Sequence, residues 1–264
     1  MDYVSRLNSL ANHLWSLAPG ARTSLAGREV RLVAHRGAHG AGIAVENTLK
    51  AFDLCLAHGV WGIELDVQLT RDLEPVISHD PHCGRLFGAP DLIIAEQDFR
   101  TLRARVPEIP HLGEVVERYG GRLHLMLEIK TSFRDRPELP AAVADALAPL
   151  EPRRDYHLLS LVPDHLEGFR SAVVPSAYVD VAWFNAGEII ERNLALGHGG
   201  VAGSFALLTS GRIRRLRAAG KQLGTGFIEQ AGALRREISR DVDWVFTDYV
   251  LRLQPLVPAA GPSR

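Results

Sequence analysis

A chain of 264 residues that is 46% apolar and 23% charged has the composition of a globular protein with a sizeable core, and a single α/β barrel of about 250 residues fits its length. A formal charge of −1 provides no overall field to recruit nucleic acid, and the two cysteines, Cys55 and Cys83, fit neither a zinc spacing nor a disulfide framework. No window approaches the roughly 18 uninterrupted apolar residues of a membrane span, and no apolar run of secretory length precedes Arg31. The expectation is a soluble, cytoplasmic protein with no transmembrane segment and no nucleic-acid partner.

Residues 1–17 repeat apolar side chains every three or four positions through Tyr3, Val4, Leu7, Leu10, Ala11, Leu14 and Trp15. The opposite face carries Ser5, Ser9, Asn12 and Ser16 and almost no basic charge, which argues against a membrane-surface helix. The pattern predicts an amphipathic helix packed on the outside or the bottom of the domain. Arg31 to His35 reads as the first strand, and a helix is expected from about Glu46 to His58. The intervening G-x-x-G-x-G lacks the order of a dinucleotide-binding fingerprint. Trp61 to Gln68 is the second strand, and Pro75 to His79 runs back toward it. Residues 81–110 form a connecting segment with a short helix, Glu96 to Arg105, inside it. A helix from His111 to Tyr119 and a strand from Leu123 to Ile129 follow.

Five more strands are expected at Tyr156–Ser160, Ala177–Val181, Gly200–Ser204, Gln222–Phe227 and Trp244–Thr247, with helices between them. Alternating elements imply a parallel sheet, and eight strands imply a closed (β/α)8 barrel. The basic run Arg212, Arg214, Arg215, Arg217 and Lys221 reads as a solvated helix face, and the tail after Leu256 as frayed.

Residues two apart on a strand share a face, so Glu64 and Asp66 point the same way. Taken alone, that pair suits a solvated strand face as well as a hard divalent cation. The wider pattern favours the cation. Chemistry in such a barrel gathers at the C-terminal ends of the strands. There His35 and Arg36 end the first strand, Glu64 and Asp66 lie on the second with His79 returning beside it, and Glu128 and Lys130 end the third. Three carboxylates suit Mg²⁺ or Ca²⁺ better than zinc. Arg36 and Lys130 would neutralise an anion such as a phosphate, and two imidazoles can exchange protons near neutral pH. Two residues keep a second reading: Lys130 as a structural partner of Glu128, and Glu46 as a first-turn acid of its helix rather than a support of the site. The remaining histidines, His124 included, read as core, capping or surface residues.

These residues resemble the glycerophosphodiester phosphodiesterase family of the phosphatidylinositol-phospholipase-C-like superfamily. The shared pieces, in the family's order, are His35-Arg36-Gly37, Glu46-Asn47-Thr48, Glu64-x-Asp66-Val67 with Thr70, Asp72 and His79-Asp80, Glu128-Ile129-Lys130 and Thr247-Asp248-Tyr249. The resemblance covers roughly residues 31 to 250, leaving 1–30 as a helix and linker and 251–264 as a tail. It implies a single TIM barrel hydrolysing a glycerophosphodiester to an alcohol and sn-glycerol 3-phosphate. It also implies a divalent cation (Mg²⁺ or Ca²⁺, with Mn²⁺ a third option) on Glu64, Asp66 and Glu128, His35 and His79 as the acid/base pair, and Arg36 and Lys130 on the phosphate.

Three departures bear on the alcohol side. The capping insertion at 81–110 is short, Gly226 stands where the family carries a tryptophan, and Ser160-Leu161 replaces Ser-Phe. They lead to the expectation of a more open site that accepts a lysophospholipid. Two rivals follow: a lysophospholipase D or sphingomyelinase D-like lyase releasing a cyclic phosphate, and a non-catalytic barrel that binds a phosphoryl ligand.

Overall fold

The computed structural model describes residues 3–257; residues 258–264, most of the expected tail, lie outside the described residues. Eight parallel strands close into a barrel: β1 (Leu32–Ala34), β2 (Gly62–Leu69), β3 (His124–Ile129), β4 (Tyr156–Ser160), β5 (Tyr178–Ala182), β6 (Gly200–Ser204), β7 (Gln222–Gly226) and β8 (Trp244–Thr247). Each strand pairs with the next, and β1 pairs with both β8 and β2, so the sheet has no parallel edge. The short strand Pro75–Ile77 adds antiparallel to the end of β2. The fold is a TIM barrel.

Alternation along β2 and β3 sorts the side chains. Ile63, Leu65, Val67, Leu125, Leu127 and Ile129 face outward into the main core. There they meet α2 (Leu49–Ala57), α3 (Leu112–Tyr119) and α4 (Leu139–Leu147). The lumen is filled midway by Val33, Met126, Leu159, Val179, Trp244 and Phe246. Below them His124 and His157 are buried beside Trp61 and Trp244. Above them the same face carries the carboxylates of β2 and β3. The register sets Asp66 beside Glu128 on the neighbouring strand.

The expected helix from Glu46 begins later, at Leu49. Asn47 has φ 56°, outside helical backbone, and the Thr48 side chain caps the helix by accepting from Ala51 N. Glu46 therefore lies ahead of the cap, which removes its reading as a first-turn acid. The segment after His79 is folded rather than open. A hairpin of His82–Cys83 with Ala89–Ile93 and a helix, Phe99–Arg105, enclose Cys83, Leu92, Ile94, Leu102 and Ile109.

The N-terminal helix α1 (Tyr3–Leu17) lies on the outside of the barrel, but with the reverse of the expected facing. Leu7, Leu10, Leu14 and Leu17 are 48%, 55%, 56% and 74% exposed. Asn8, Ser9, Asn12 and Ser16 face the protein. Asn12 Nδ2 donates to the Phe227 carbonyl at 2.9 Å, and its Oδ1 accepts from Glu229 N at 2.8 Å. Asn8 Nδ2 donates to the same carbonyl at 3.1 Å, and Ser9 Oγ donates to Glu229 Oε2 at 2.9 Å. The reason is the surface beneath α1. After β7 the chain turns through Phe227 at φ 65°, leaving backbone groups that need partners. Amide side chains supply both a donor and an acceptor, which leucine cannot. Of the expected apolar face, Ala11 and Trp15 are packed, Trp15 edge-on to Phe205 at 5.3 Å and under the Arg236 guanidinium at 4.4 Å. Close contact continues where Ser16 meets Gly232 of the helix Ala231–Ser239.

Candidate active site

The C-terminal rim of the barrel surrounds a cavity of about 400 Å³ lined by His35, Arg36, Glu64, His79, Glu128 and Lys130 among others. Asp66 lies just beneath, fully buried. Strands β1, β2 and β3 deliver six of these seven residues; His79 arrives on the return from β2. Glu64, Asp66 and Glu128 each offer an oxygen within 4.8 Å of the others.

The turn after β1 shapes one wall. Arg36 and Gly37 both have left-handed backbone, at φ 55° and 81°. A Cβ at Gly37 would lie 2.8 Å from the Phe52 ring, so only glycine fits. This turn aims Arg36 N at Glu64 Oε2, 3.0 Å away, and the guanidinium at Glu46 (2.8 Å) and Asp66 (3.3 Å). Asn47, at the end of the loop that precedes α2, donates to Asp66 Oδ2 at 2.7 Å. Lys130 Nζ lies 2.9 Å from both Asp66 and Glu128. It therefore bridges two of the carboxylates as well as lining the cavity, so its two expected readings coincide in one position.

Both imidazoles are fixed through the same nitrogen. His35 Nδ1 lies 2.6 Å from Asp248, and His79 Nδ1 lies 2.7 Å from Asp80. Each ring thereby presents Nε2 to the cavity. Asp80 is held in turn by Arg85 Nε at 2.6 Å, and the same guanidinium donates to Glu46 at 2.7 Å. Arg85, from the hairpin over the site, thus braces both the His79 side and the Arg36 side. Glu46 has a supporting position, outside the carboxylate cluster.

The charge pattern has a consistent cause. Burial opposes the charged His35 ring, but Glu64 and Asp248 outweigh it and raise the ring to about 9. Burial and the neighbouring Asp66 charge push Glu64 up to about 8. Burial works against Asp66 too, yet Lys130 and Arg36 hold it below the usual carboxylate range. Glu64 Oε1 is buried with no hydrogen-bond partner. A buried, crowded carboxylate with an orphaned oxygen is what a cation ligand looks like before the cation is counted. The three residues fit a hard divalent ion.

Several residues were not assigned roles from the sequence. Asn47, Asp80 and Asp248 stood inside matching motifs, but only geometry shows that they orient Asp66, His79 and His35. His39, expected to be peripheral, lies 3.6 Å from Asp248. The open wall expected at Gly226 is filled from elsewhere. Trp183, following β5, stands edge-on to Phe227 at 5.3 Å, and both rings line the cavity with Leu161, Val181 and Phe246. No spacing rule singles out an aromatic residue just past a strand.

Residues 35–148 match the model of the glycerophosphoryl diester phosphodiesterase family. This stretch of the chain is similar to that family. The match contains every charged residue of the site except Asp248, and ends before the aromatic wall. Among curated relatives, a Bacillus subtilis protein named as a glycerophosphodiester phosphodiesterase, YhdW, is 35% identical over 109 residues, 38% of this chain and 44% of the relative. Mouse lysophospholipase D GDPD3 is 33% identical over 118 residues, 42% of this chain and 33% of the relative. The matched stretch thus spans less than half the length of these curated relatives. Among solved structures, an Oleispira antarctica phosphodiesterase in complex with the product sn-glycerol-3-phosphate superposes with a TM-score of 0.71 at 26% identity, covering 86% of this chain and 96% of that one. A Thermotoga maritima glycerophosphodiester phosphodiesterase shares the fold, with a TM-score of 0.71 at 24% identity over 87% of this chain and 99% of that one.

Proposed function

We propose that this protein hydrolyses glycerophosphodiesters to an alcohol and sn-glycerol 3-phosphate. The observation that carries the reading is the facing of two imidazoles, each held at Nδ1 by its own carboxylate, across a cavity floored by three carboxylates. The match of residues 35–148 to the glycerophosphoryl diester phosphodiesterase model, and the product-bound Oleispira phosphodiesterase of like fold, support it.

Glu64, Asp66 and Glu128 would hold a divalent cation, Mg²⁺, Ca²⁺ or Mn²⁺, which when bound polarises the phosphoryl oxygens. Arg36 and Lys130 balance the remaining phosphate charge. His35, kept cationic by Glu64 and Asp248, donates its Nε2 proton to the departing alkoxide as the P–O bond breaks. His79 accepts the proton of the attacking oxygen at Nε2, with Asp80 steadying the ring. Asn47, Glu46 and Arg85 position these groups and touch no reacting atom.

A second substrate, a lysophospholipid, is favoured by the apolar half of the same cavity, where Leu161, Val181, Trp183 and Phe227 gather opposite the charges. The likeness to a relative named lysophospholipase D is in keeping with it. The test is a panel of glycerophosphocholine and lysophosphatidylcholine with Mg²⁺, Ca²⁺ or Mn²⁺ against a chelator control, with products followed by phosphorus NMR. Cation-dependent release of a phosphomonoester is the expected result. A persistent cyclic phosphate would replace hydrolysis with transfer, and binding without turnover in every cation would reduce the protein to a ligand-binding barrel.

A further inference from the structure

A second apolar space adjoins the catalytic cavity. It measures about 220 Å³ and lies between α1 and the loop after β5, lined by Leu7, Ala11, Phe184 and Leu207. Trp183 and Phe227 line both spaces and form the sill between them. Its far side is open: Phe184, its ring 5.6 Å from that of Trp183, is 77% exposed. Among the described residues no charged side chain lines the trough, and the amide of Asn8 at its edge is already spent on Phe227 O and Glu229. An exposed tryptophan and phenylalanine beside an outward-facing leucine are costly to leave in water, and their position is continuous with the mouth of the site.

We propose that this trough is an acyl-chain subsite, taking the single chain of one lysophospholipid molecule whose phosphate sits at the carboxylate cluster. The inference rests on the phosphodiesterase reading for the position of the headgroup. The chain leaves the glycerol, crosses the Trp183–Phe227 sill and lies along Leu7 and Ala11, so that α1 becomes one bank of the substrate site. The inverted facing of α1 is what makes this work: its amides hold the helix on the rim while Leu7 remains available to the ligand.

The test uses n-alkylphosphocholines of increasing length, below their critical micelle concentrations, titrated into the intact protein by calorimetry. Affinity is expected to tighten about fourfold per added methylene until the trough is filled. Leu7→Gln combined with Phe184→Ser should weaken the longest ligand at least tenfold and flatten the length dependence. The same double variant should hydrolyse glycerophosphocholine at the unaltered rate, because neither residue lines the catalytic cavity. Equal affinity at every chain length overturns the proposal. So does binding that begins only with micelles or phosphatidylcholine vesicles, which would make the apolar face a docking surface for a lipid assembly. Length-dependent binding without turnover of any diester would leave the trough standing and remove the catalytic reading instead. The wild-type length series decides the matter even if the double variant folds poorly.

Discussion

The barrel holds histidines at its two ends, and the two ends treat them oppositely. At the rim, His35 is raised to about 9 because the Glu64 and Asp248 charges overcome burial. At the floor, His157 is lowered to about 4, burial being the main cause, and His124 is lowered with it. The floor rings bond each other at 2.8 Å, stack on or abut Trp61 and Trp244, and end on Gln222 and the Arg154 carbonyl. Neutral tautomers satisfy that chain if the Gln222 amide nitrogen donates to His157. Burial alone therefore does not predict what an imidazole does. The sign of the neighbouring charge decides between a proton donor and a packed aromatic ring.

The largest effect expected from breaking this contrast is on turnover. His35→Gln should lower kcat roughly 10²- to 10⁴-fold, whereas His157→Gln should leave kcat within a few-fold, provided each folds. Steady-state rates on glycerophosphocholine check it, and equal losses at both ends would erase the distinction.

The next effect is on stability against pH. The floor rings stay neutral in the fold, so the unfolded chain binds more protons as pH falls. Stability is lost from about 6.5 downward through about 4, by roughly 3 kcal/mol for His157. The rim behaves in reverse when no cation is present. His35 is raised above its ordinary value, so its contribution is whole below 6.5 and is lost as pH rises through about 9. Glu64 has the same sign, losing stability upward from 4.5 through about 8. Urea midpoints in chelator should show His157→Gln relieving the acid-side loss and Glu64→Gln the alkaline-side loss.

A divalent cation sharpens the comparison further. At 100-fold over its dissociation constant it should stabilise the wild type by about 2.7 kcal/mol and Glu64→Gln far less. Thermal melts with and without chelator measure this, and an equal gain in both proteins would move the cation away from Glu64. The smallest effect concerns bracing. Arg85→Met removes the contacts to Asp80 and Glu46 and should cost about tenfold in kcat, since it acts through His79 and Arg36. The melting temperature should hardly move, and a rate that also stays unaltered would make Arg85 a mere surface pair.

Much of the rim was legible in the sequence. Strand alternation placed Glu64 and Asp66 on one face, and the eight strands fall within a residue or two of their expected spans. Such features are local, set by a period of two. What escaped depends on partners far along the chain. The Asp248 carboxylate meets His35 only when β8 closes against β1, and Trp183 substitutes for the aromatic residue missing at Gly226 from across the rim. The facing of α1 escaped for another reason. Periodicity reports which side chains share a stripe, not which stripe the neighbour prefers. Here the neighbour was exposed backbone at Phe227 and Glu229, and it preferred amides.

Asn12 grips that backbone at two points, much as an adjoining strand would. The leading helix is thereby spliced onto the turn that follows the seventh strand. A pull transmitted through the leading helix is felt at Phe227 and Glu229, beside the sill of the cavity. A fusion or tether attached ahead of residue 3 would act as a handle on the doorway of the cavity.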